Sequence, residues 1–302
     1  MSKELFLTID LEDFRYFKSK ELGLSVRSGA YYVEKGLDNL LKALALIPGN
    51  QKLTFFTTAQ IARDQKSIIQ KLVKSGHEIG CHTFEHENLL NITKDQFRKI
   101  LHRSTKILED TVGAKISGFR APSFAVSWKN GWFYDLLSEA GYCYDSSFLI
   151  PCDKNPVKSS PIVFSTSAGK IFEYPVMRYR PIPGVSIRII GGTYFRLLPL
   201  NIIDSLLDKV YQLGYIPIIW LHPTDFCHGF KPFSFKDISE VSILNSLKYP
   251  LDMLLLQSGV DGVPDKLKKI AEKWQMKGRI IDHVEETMES LNETKSQQRG
   301  NS

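Results

Sequence analysis

The stretch GHEIGCHTFEH at residues 76–86 combines a short apolar run with two histidines that lie four residues apart. We predict a strand over His77–Gly80, so that His82 follows directly where the strand ends. A helical turn or a wound loop would bring His82 and His86 to one side, as two ligands of one ion require. Together with the acidic segment at residues 10–13, they suggest a mononuclear site with one open position, which is what a catalytic zinc needs.

Short apolar runs alternate with amphipathic segments on both sides of this stretch, which indicates strand–helix units and a largely parallel sheet. A chain of 302 residues can form a single α/β barrel. We therefore expect one α/β domain over residues 1–291, with an irregular, proline-containing excursion at about 151–183. Residues 292–302 are polar and lack periodicity, and we predict a disordered tail there.

The composition bears on nucleic-acid binding, on the redox compartment and on membrane insertion. The formal net charge is +6, and the basic residues are scattered through helical segments, so no nucleic-acid surface is expected. The four cysteines have no C-x-x-C spacing, which favours a reduced compartment. We find neither a signal-peptide pattern nor a run of about 18 apolar residues. The sequence therefore predicts a cytoplasmic protein without a transmembrane segment.

The candidate chemical residues share one placement, directly after a predicted strand. Because the carboxyl ends of parallel strands meet at one edge of a sheet, five such residues predict a single pocket. They are Asp10, His82, Arg120, Asp145 and His222.

Taken in chain order, five motifs resemble those of the polysaccharide deacetylases of the NodB-homology type, also called carbohydrate esterase family 4. The motifs are TIDLED (8–13), TFF (54–56), GHEIGCHTFEH (76–86), GFRAPS (118–123) and LHP (221–223). Two further stretches, DLEDF (10–14) and GGTYFRLLP (191–199), resemble a bacterial subgroup tied to surface or exopolysaccharide synthesis.

The resemblance implies a distorted (β/α) barrel and a metal-dependent hydrolase. Such an enzyme would remove an N-acetyl group from a sugar of a surface polysaccharide or glycan precursor and release acetate. The absence of a signal-peptide pattern favours a precursor as the substrate. Two alternatives stay open, namely hydrolysis of another C–N bond in a formamide or ureide, and an inactive glycan-binding homologue.

The resemblance also assigns catalytic roles to individual residues. Asp10 would be the general base, and Arg120 would pair with it and keep it ionised. The backbone N–H of Ser123, which stands where the family usually has tyrosine, would stabilise the oxyanion. His222 would be the general acid that protonates the leaving amine, and Asp145 is a candidate for orienting it.

The metal, expected to be Zn²⁺, would take His82 and His86 as its imidazole ligands. In most of the resembled family the base and the ligand aspartate are adjacent, whereas two residues separate Asp10 from Asp13 here. We predict Asp13 as the carboxylate ligand. Glu12 is the alternative, because some relatives place the ligand two residues after the base. Glu12 would share the face of Asp10 if residues 10–12 stay extended.

Overall fold

The first predicted apolar run forms strand β1, Glu4–Leu11, in which every residue after Glu4 is buried. The computed structural model describes residues 3–25, 28–127, 131–151, 160–179, 187–188, 190–234, 236–237, 251 and 253–300. A strand that is apolar on both faces lies in the middle of a covered sheet. β1 accordingly has parallel neighbours on both sides.

The other strands of the main sheet are short. They are β2 Thr54–Thr57, β3 Glu78–Cys81, β4 Gly118–Phe119, β5 Tyr144–Asp145, β7 Ile162–Ser165, β8 Lys170–Glu173, β11 Ile218–Leu221 and β12 Gln275–Met276. Their order is β11-β1-β2-β3-β4-β5-β8-β7, with β12 also paired to β1, and in the described part of this sheet only the β7–β8 pair is antiparallel. A second sheet has the order β10-β9-β6, and its strands are β6 Leu149–Pro151, β9 Val176–Tyr179 and β10 Ile187–Arg188.

Helices follow most of the parallel strands and cover the sheet with their apolar faces. They are α1 Phe14–Glu21, α2 Ala30–Ala45, α3 Ala59–Asp64, α4 Lys66–Lys74, α5 Lys94–Val112, α6 Trp132–Glu139, α7 Gly192–Leu197, α8 Leu200–Gln212, α9 Val263–Ala271 and α10 Ile280–Gly300. Helix α5 begins at a capping box in which Thr93 and Gln96 bond each other's backbone N–H. The predicted α/β architecture, with a largely parallel sheet, is confirmed.

Two regions differ from the expectation. Strand β8, inside the predicted excursion at 151–183, pairs in parallel with β5 and so belongs to the main sheet. Residues 152–159 and 180–183 of that excursion lie outside the described residues. Helix α10 extends to Gly300, whereas the sequence predicted a disordered tail over residues 292–302. The segment contains Glu, Lys, Gln and Arg and no proline, a composition that favours a helix without any apolar face.

Candidate metal centre and catalytic site

A cavity of about 300 Å³ lies at the carboxyl ends of the parallel strands. Most of the predicted site residues line it, and they are Asp10, Glu12, His82, His86, Ser123 and His222. Arg120 is fully buried and contacts Asp10. The fold therefore brings together residues from strand ends that are far apart in the sequence.

Asp13 is one of two predicted residues, with Asp145, that do not join this group. Strand β1 stays extended to Leu11, which puts Glu12 on the same face as Asp10. Asp13 then caps helix α1, since its Oδ1 accepts a hydrogen bond from Tyr16 N at 3.0 Å and its Oδ2 one from Gly29 N at 2.7 Å. Both of its oxygens are thus held by backbone N–H groups, and Glu12 takes the place beside the histidines that we expected for Asp13.

His82 and His86 are held in a wound loop rather than a helix. Strand β3 ends at Cys81, and both Thr83 and His86 have left-handed backbone conformations, with φ of 63° and 66°. His82 Nδ1 lies 2.7 Å from the carbonyl oxygen of Arg120, which can only accept, so Nδ1 is the protonated nitrogen. The ring of Phe17 stacks on His86 at 4.1 Å between centroids. These contacts leave Nε2 of His82 free to bind a metal.

The donor atoms of Glu12, His82 and His86 fit a divalent metal ion. Glu12 Oε2 lies 3.0 Å from His86 Nε2 and 3.6 Å from His82 Nε2. Two ligand atoms of a tetrahedral zinc are about 3.3 Å apart, given bond lengths near 2.0–2.1 Å. This oxygen is buried without a hydrogen bond, so the protein alone leaves it unsatisfied. Burial would raise the pKa of Glu12, but His86 and His82 hold that pKa well below its usual value. An ionised carboxylate and two imidazoles suit zinc better than magnesium or calcium.

Asp10 is fixed by the guanidinium group of Arg120. Arg120 Nη1 donates to Asp10 Oδ1 and to Thr8 Oγ1, both at 2.8 Å. Its other nitrogens donate to the backbone oxygen and the hydroxyl of Ser146, and the group lies 4.1 Å from the ring centroid of Phe56. The geometry thus supplies an oriented carboxylate at the cavity.

Asp225, rather than Asp145, orients His222. The carboxylate of Asp225 lies 3.1 Å from His222 Nδ1 and also accepts from the His222 backbone N–H at 2.8 Å. Its other oxygen accepts from Arg196 Nε at 2.8 Å. Asp145 instead bonds Ser147 and lies directly opposite Glu173 in the β5–β8 pair. Sequence reasoning missed Asp225, although its position three residues after the histidine was a usable signal.

The charges around His222 change its acidity. Burial would lower its pKa, but the hydrogen bond to Asp225 and the nearby Glu12 carboxylate raise the pKa to about 9. The same contact outweighs burial at Asp225 and lowers the pKa of that carboxyl. The pair is therefore an imidazolium held by a carboxylate, which can donate a proton into the cavity.

Two glycines permit the close contacts that fix this region. A Cβ on Gly36 of α2 would lie 2.0 Å from the carbonyl oxygen of Pro223, in the turn that carries Asp225. A Cβ on Gly191 would lie 1.8 Å from the indole of Trp220, to which Gly191 is bridged. The first glycine of GGTYFRLLP is thus a packing requirement, and Arg196 of the same motif is buried and bonded to Asp225.

Comparison with protein families gives two matches. Residues 32–142 match the polysaccharide deacetylase family, and residues 152–243 match a domain of unknown function (DUF3473). A peptidoglycan deacetylase of Helicobacter pylori is 27% identical over 124 residues, which is 41% of this chain and 41% of that protein. The chain thus aligns with less than half the length of this relative.

Solved structures share the fold. A candidate polysaccharide deacetylase of Mycobacterium smegmatis superimposes with a TM-score of 0.56 at 21% identity, over 91% of this chain and 92% of the other. The Puue allantoinase superimposes with a TM-score of 0.50 at 14% identity, over 87% and 89% of the two chains. These shared folds confirm the expected (β/α) barrel, and residues 32–142 carry the match to the polysaccharide deacetylase family. Among the described residues, no helix has the length and apolar character needed to span a membrane.

Proposed function

We propose that this protein is a metal-dependent hydrolase that removes the acetyl group from an N-acetylated sugar. The observation that carries the proposal is one cavity lined by three kinds of group. They are a set of potential metal ligands (Glu12, His82 and His86), an aspartate bound by an arginine (Asp10) and a histidine bound by an aspartate (His222). Each of the three groups supplies one part of amide hydrolysis.

The metal ligands in this proposal are Glu12, His82 and His86. The unsatisfied Glu12 oxygen and the free Nε2 of His82 support them over a set that contains Asp13. When bound, a zinc ion would act as a Lewis acid and make water acidic enough to attack near neutral pH. Arg120 connects the proposed metal ligands to the proposed general base, because its backbone carbonyl orients His82 while its guanidinium orients Asp10.

Asp10 is the proposed general base. Its carboxylate takes a proton from the attacking water as the water oxygen bonds to the acetyl carbon. The backbone N–H of Ser123 donates to the developing oxyanion. Ser123 lines the cavity and has a left-handed conformation, with φ of 54°, and non-glycine residues in that region are concentrated at functional sites.

His222 is the proposed general acid. It donates its Nε2 proton to the sugar nitrogen as the C–N bond breaks, so that acetate and a free amine leave. Nε2 faces the site, 3.7 Å from Glu12 Oε1, while Nδ1 is held by Asp225. The raised pKa keeps the histidine protonated before the reaction.

The substrate class and location belong to the same proposal. The resemblance to a subgroup of surface and exopolysaccharide synthesis favours a glycan precursor as the substrate. Three described cysteines, Cys81, Cys143 and Cys227, form no disulfide, which favours the reducing cytoplasm.

Acetate release from N-acetylhexosamine conjugates by zinc-loaded protein tests the reaction. We expect activity that Asp10→Asn removes without loss of bound metal or folding, because Asp10 bonds Arg120 rather than the ligands. Formate and ammonia are measured in parallel. Their release from formamide or ureide substrates, without acetate, would replace this proposal with the rival hydrolase. Glycan binding without any hydrolysis would support the inactive homologue.

A further inference from the structure

Two arginines lie directly opposite each other in the second sheet. Strands β9 and β10 are antiparallel, and their register pairs Arg178 with Arg188. Residues that pair in this way project from the same face, with their Cβ atoms about 4.5–5.5 Å apart. Both arginines lie within residues 152–243, the stretch that matches a domain of unknown function.

Arg188 joins this pair to the cavity. It lines the cavity together with Ser123, and its guanidinium lies 6.0 Å from the ring centroid of Phe124. The residue remains exposed to solvent. Nε of Arg178 is buried without a hydrogen-bond partner. One member of the pair is thus open to a ligand, and the other carries an unsatisfied donor.

The other cations at the cavity have acid partners. Lys18 pairs with Glu21, Arg196 with Asp225, and Arg120 beneath the cavity with Asp10. Neither arginine of the β9–β10 pair has an acid partner among the residues that the structure describes. Like charges directly opposite each other destabilise a strand pair, and an anion bound between them would offset that cost.

We propose that Arg178 and Arg188 bind an oxyanion carried by the glycan substrate, either a carboxylate or a phosphate. Guanidinium groups match both anions through paired, charge-assisted hydrogen bonds. The proposal rests on the proposed N-deacetylase function and specifies its substrate, since a neutral N-acetylated glycan would leave the arginine pair unused. The second sheet would then act as the specificity element of the site.

Kinetics with matched substrates tests this assignment. Acetate release is compared for N-acetylglucosamine, its 1-phosphate and N-acetylgalactosaminuronic acid. We expect kcat/KM to be about 10–100-fold higher for an anionic substrate, as one or two charge-assisted hydrogen bonds would give. Faster turnover of the phosphate or of the uronic acid identifies which anion is bound. Equal kcat/KM for all three would overturn the proposal.

Substitutions of the two arginines distinguish a loss of anion binding from a loss of activity on all substrates. Arg188→Gln and Arg178→Gln should each lower kcat/KM for the anionic substrate about tenfold or more, mainly through KM, and leave the neutral sugar unaffected. Arg188→Lys should restore part of the loss. The matched control is Arg98→Gln on helix α5, where the guanidinium pairs with Asp95 on the surface. Equal losses on neutral and anionic substrates would contradict a role in anion binding.

A binding measurement keeps this inference distinct from the proposed function. Inorganic phosphate should raise the Tm of the wild-type protein and of Arg98→Gln, but should raise it less in Arg178→Gln and Arg188→Gln. If no substrate releases acetate while this pattern holds, the deacetylase proposal fails and the anion site stands. If phosphate raises the Tm equally in all four proteins, the anion site is refuted.

Discussion

Separate substitutions of Glu12 and Asp13 test the metal site most directly. Glu12→Gln replaces an anionic ligand oxygen by an amide of nearly the same shape. Asp13→Ala removes the cap of helix α1 instead, with its bonds to Tyr16 N and Gly29 N. The two variants differ by one position in the chain, yet we expect opposite consequences for metal content and stability.

The expected magnitudes follow from the contacts. The Glu12 oxygen lies 3.0 Å and 3.6 Å from the two histidine nitrogens, so its loss removes one of three ligands. Metal affinity should fall by more than the roughly 10–100-fold that losing an outer-shell partner costs. Removing a cap costs about 0.5–2 kcal/mol, and the second bond of Asp13 brings the expected loss of unfolding free energy to about 1–3 kcal/mol.

Metal content, acetate release and urea unfolding of the purified variants are the assays. Glu12→Gln should lose metal and activity. Asp13→Ala should keep about one equivalent of metal and most of its activity while unfolding at lower urea. Glu12→Asp serves as a control that retains the charge but shortens the reach of the side chain. Retention of metal by Glu12→Gln, together with its loss in Asp13→Ala, would refute the assignment drawn from the geometry.

Three further predictions concern the surroundings of the site. Asp225→Asn removes the charge that holds the general acid protonated, and kcat should fall on the order of 100-fold; unchanged acetate release would contradict the role of this pair. Gly36→Ala places a methyl group 2.0 Å from a carbonyl oxygen and should lower the free energy of unfolding, measured in urea, by about 1–3 kcal/mol. The control is Gly131→Ala, whose added methyl would meet no atom within 4 Å and which should lower that free energy less. Burial and the charge of Asp145 raise the pKa of Glu173 well above its usual value, so the folded state holds its proton to higher pH than the unfolded state. The free energy of unfolding should therefore fall as the pH rises past the ordinary glutamate range, and Glu173→Gln should flatten that slope in a pH series of urea titrations.

Local patterns were enough to predict much of the fold. The apolar run Leu5–Ile9 predicts a strand and the spacing of Thr93 and Gln96 predicts a capping box, and the structure contains both. The sequence pattern predicts one helix over residues 60–74, but the structure divides that segment at Gln65. It also predicts a strand over residues 279–281, where the structure begins helix α10 at Ile280. Short apolar segments suit either a helix or a strand, so tertiary packing decides between them.

Local patterns also predicted part of the candidate site, while tertiary contacts decided the rest. The sequence brought forward Asp10, His82, His86 and His222 as candidates because each matches a motif in order, and the structure places all four around one cavity. It did not identify Asp225 as the partner of His222, although Asp225 lies only three residues further on, because their hydrogen bond forms through the turn at Pro223–Phe226.

Strand order and residue identity, which the sequence carries, determined that several polar side chains would meet at one edge of a parallel sheet. Only the tertiary structure decided which of two adjacent acids faces the histidines. Strand β1 continues to Leu11 and presents Glu12, after which the chain turns into α1 and uses Asp13 as its cap. The physical reason is the alternation of side chains along a strand, because one residue more or less of extended chain moves a carboxylate from one face to the other.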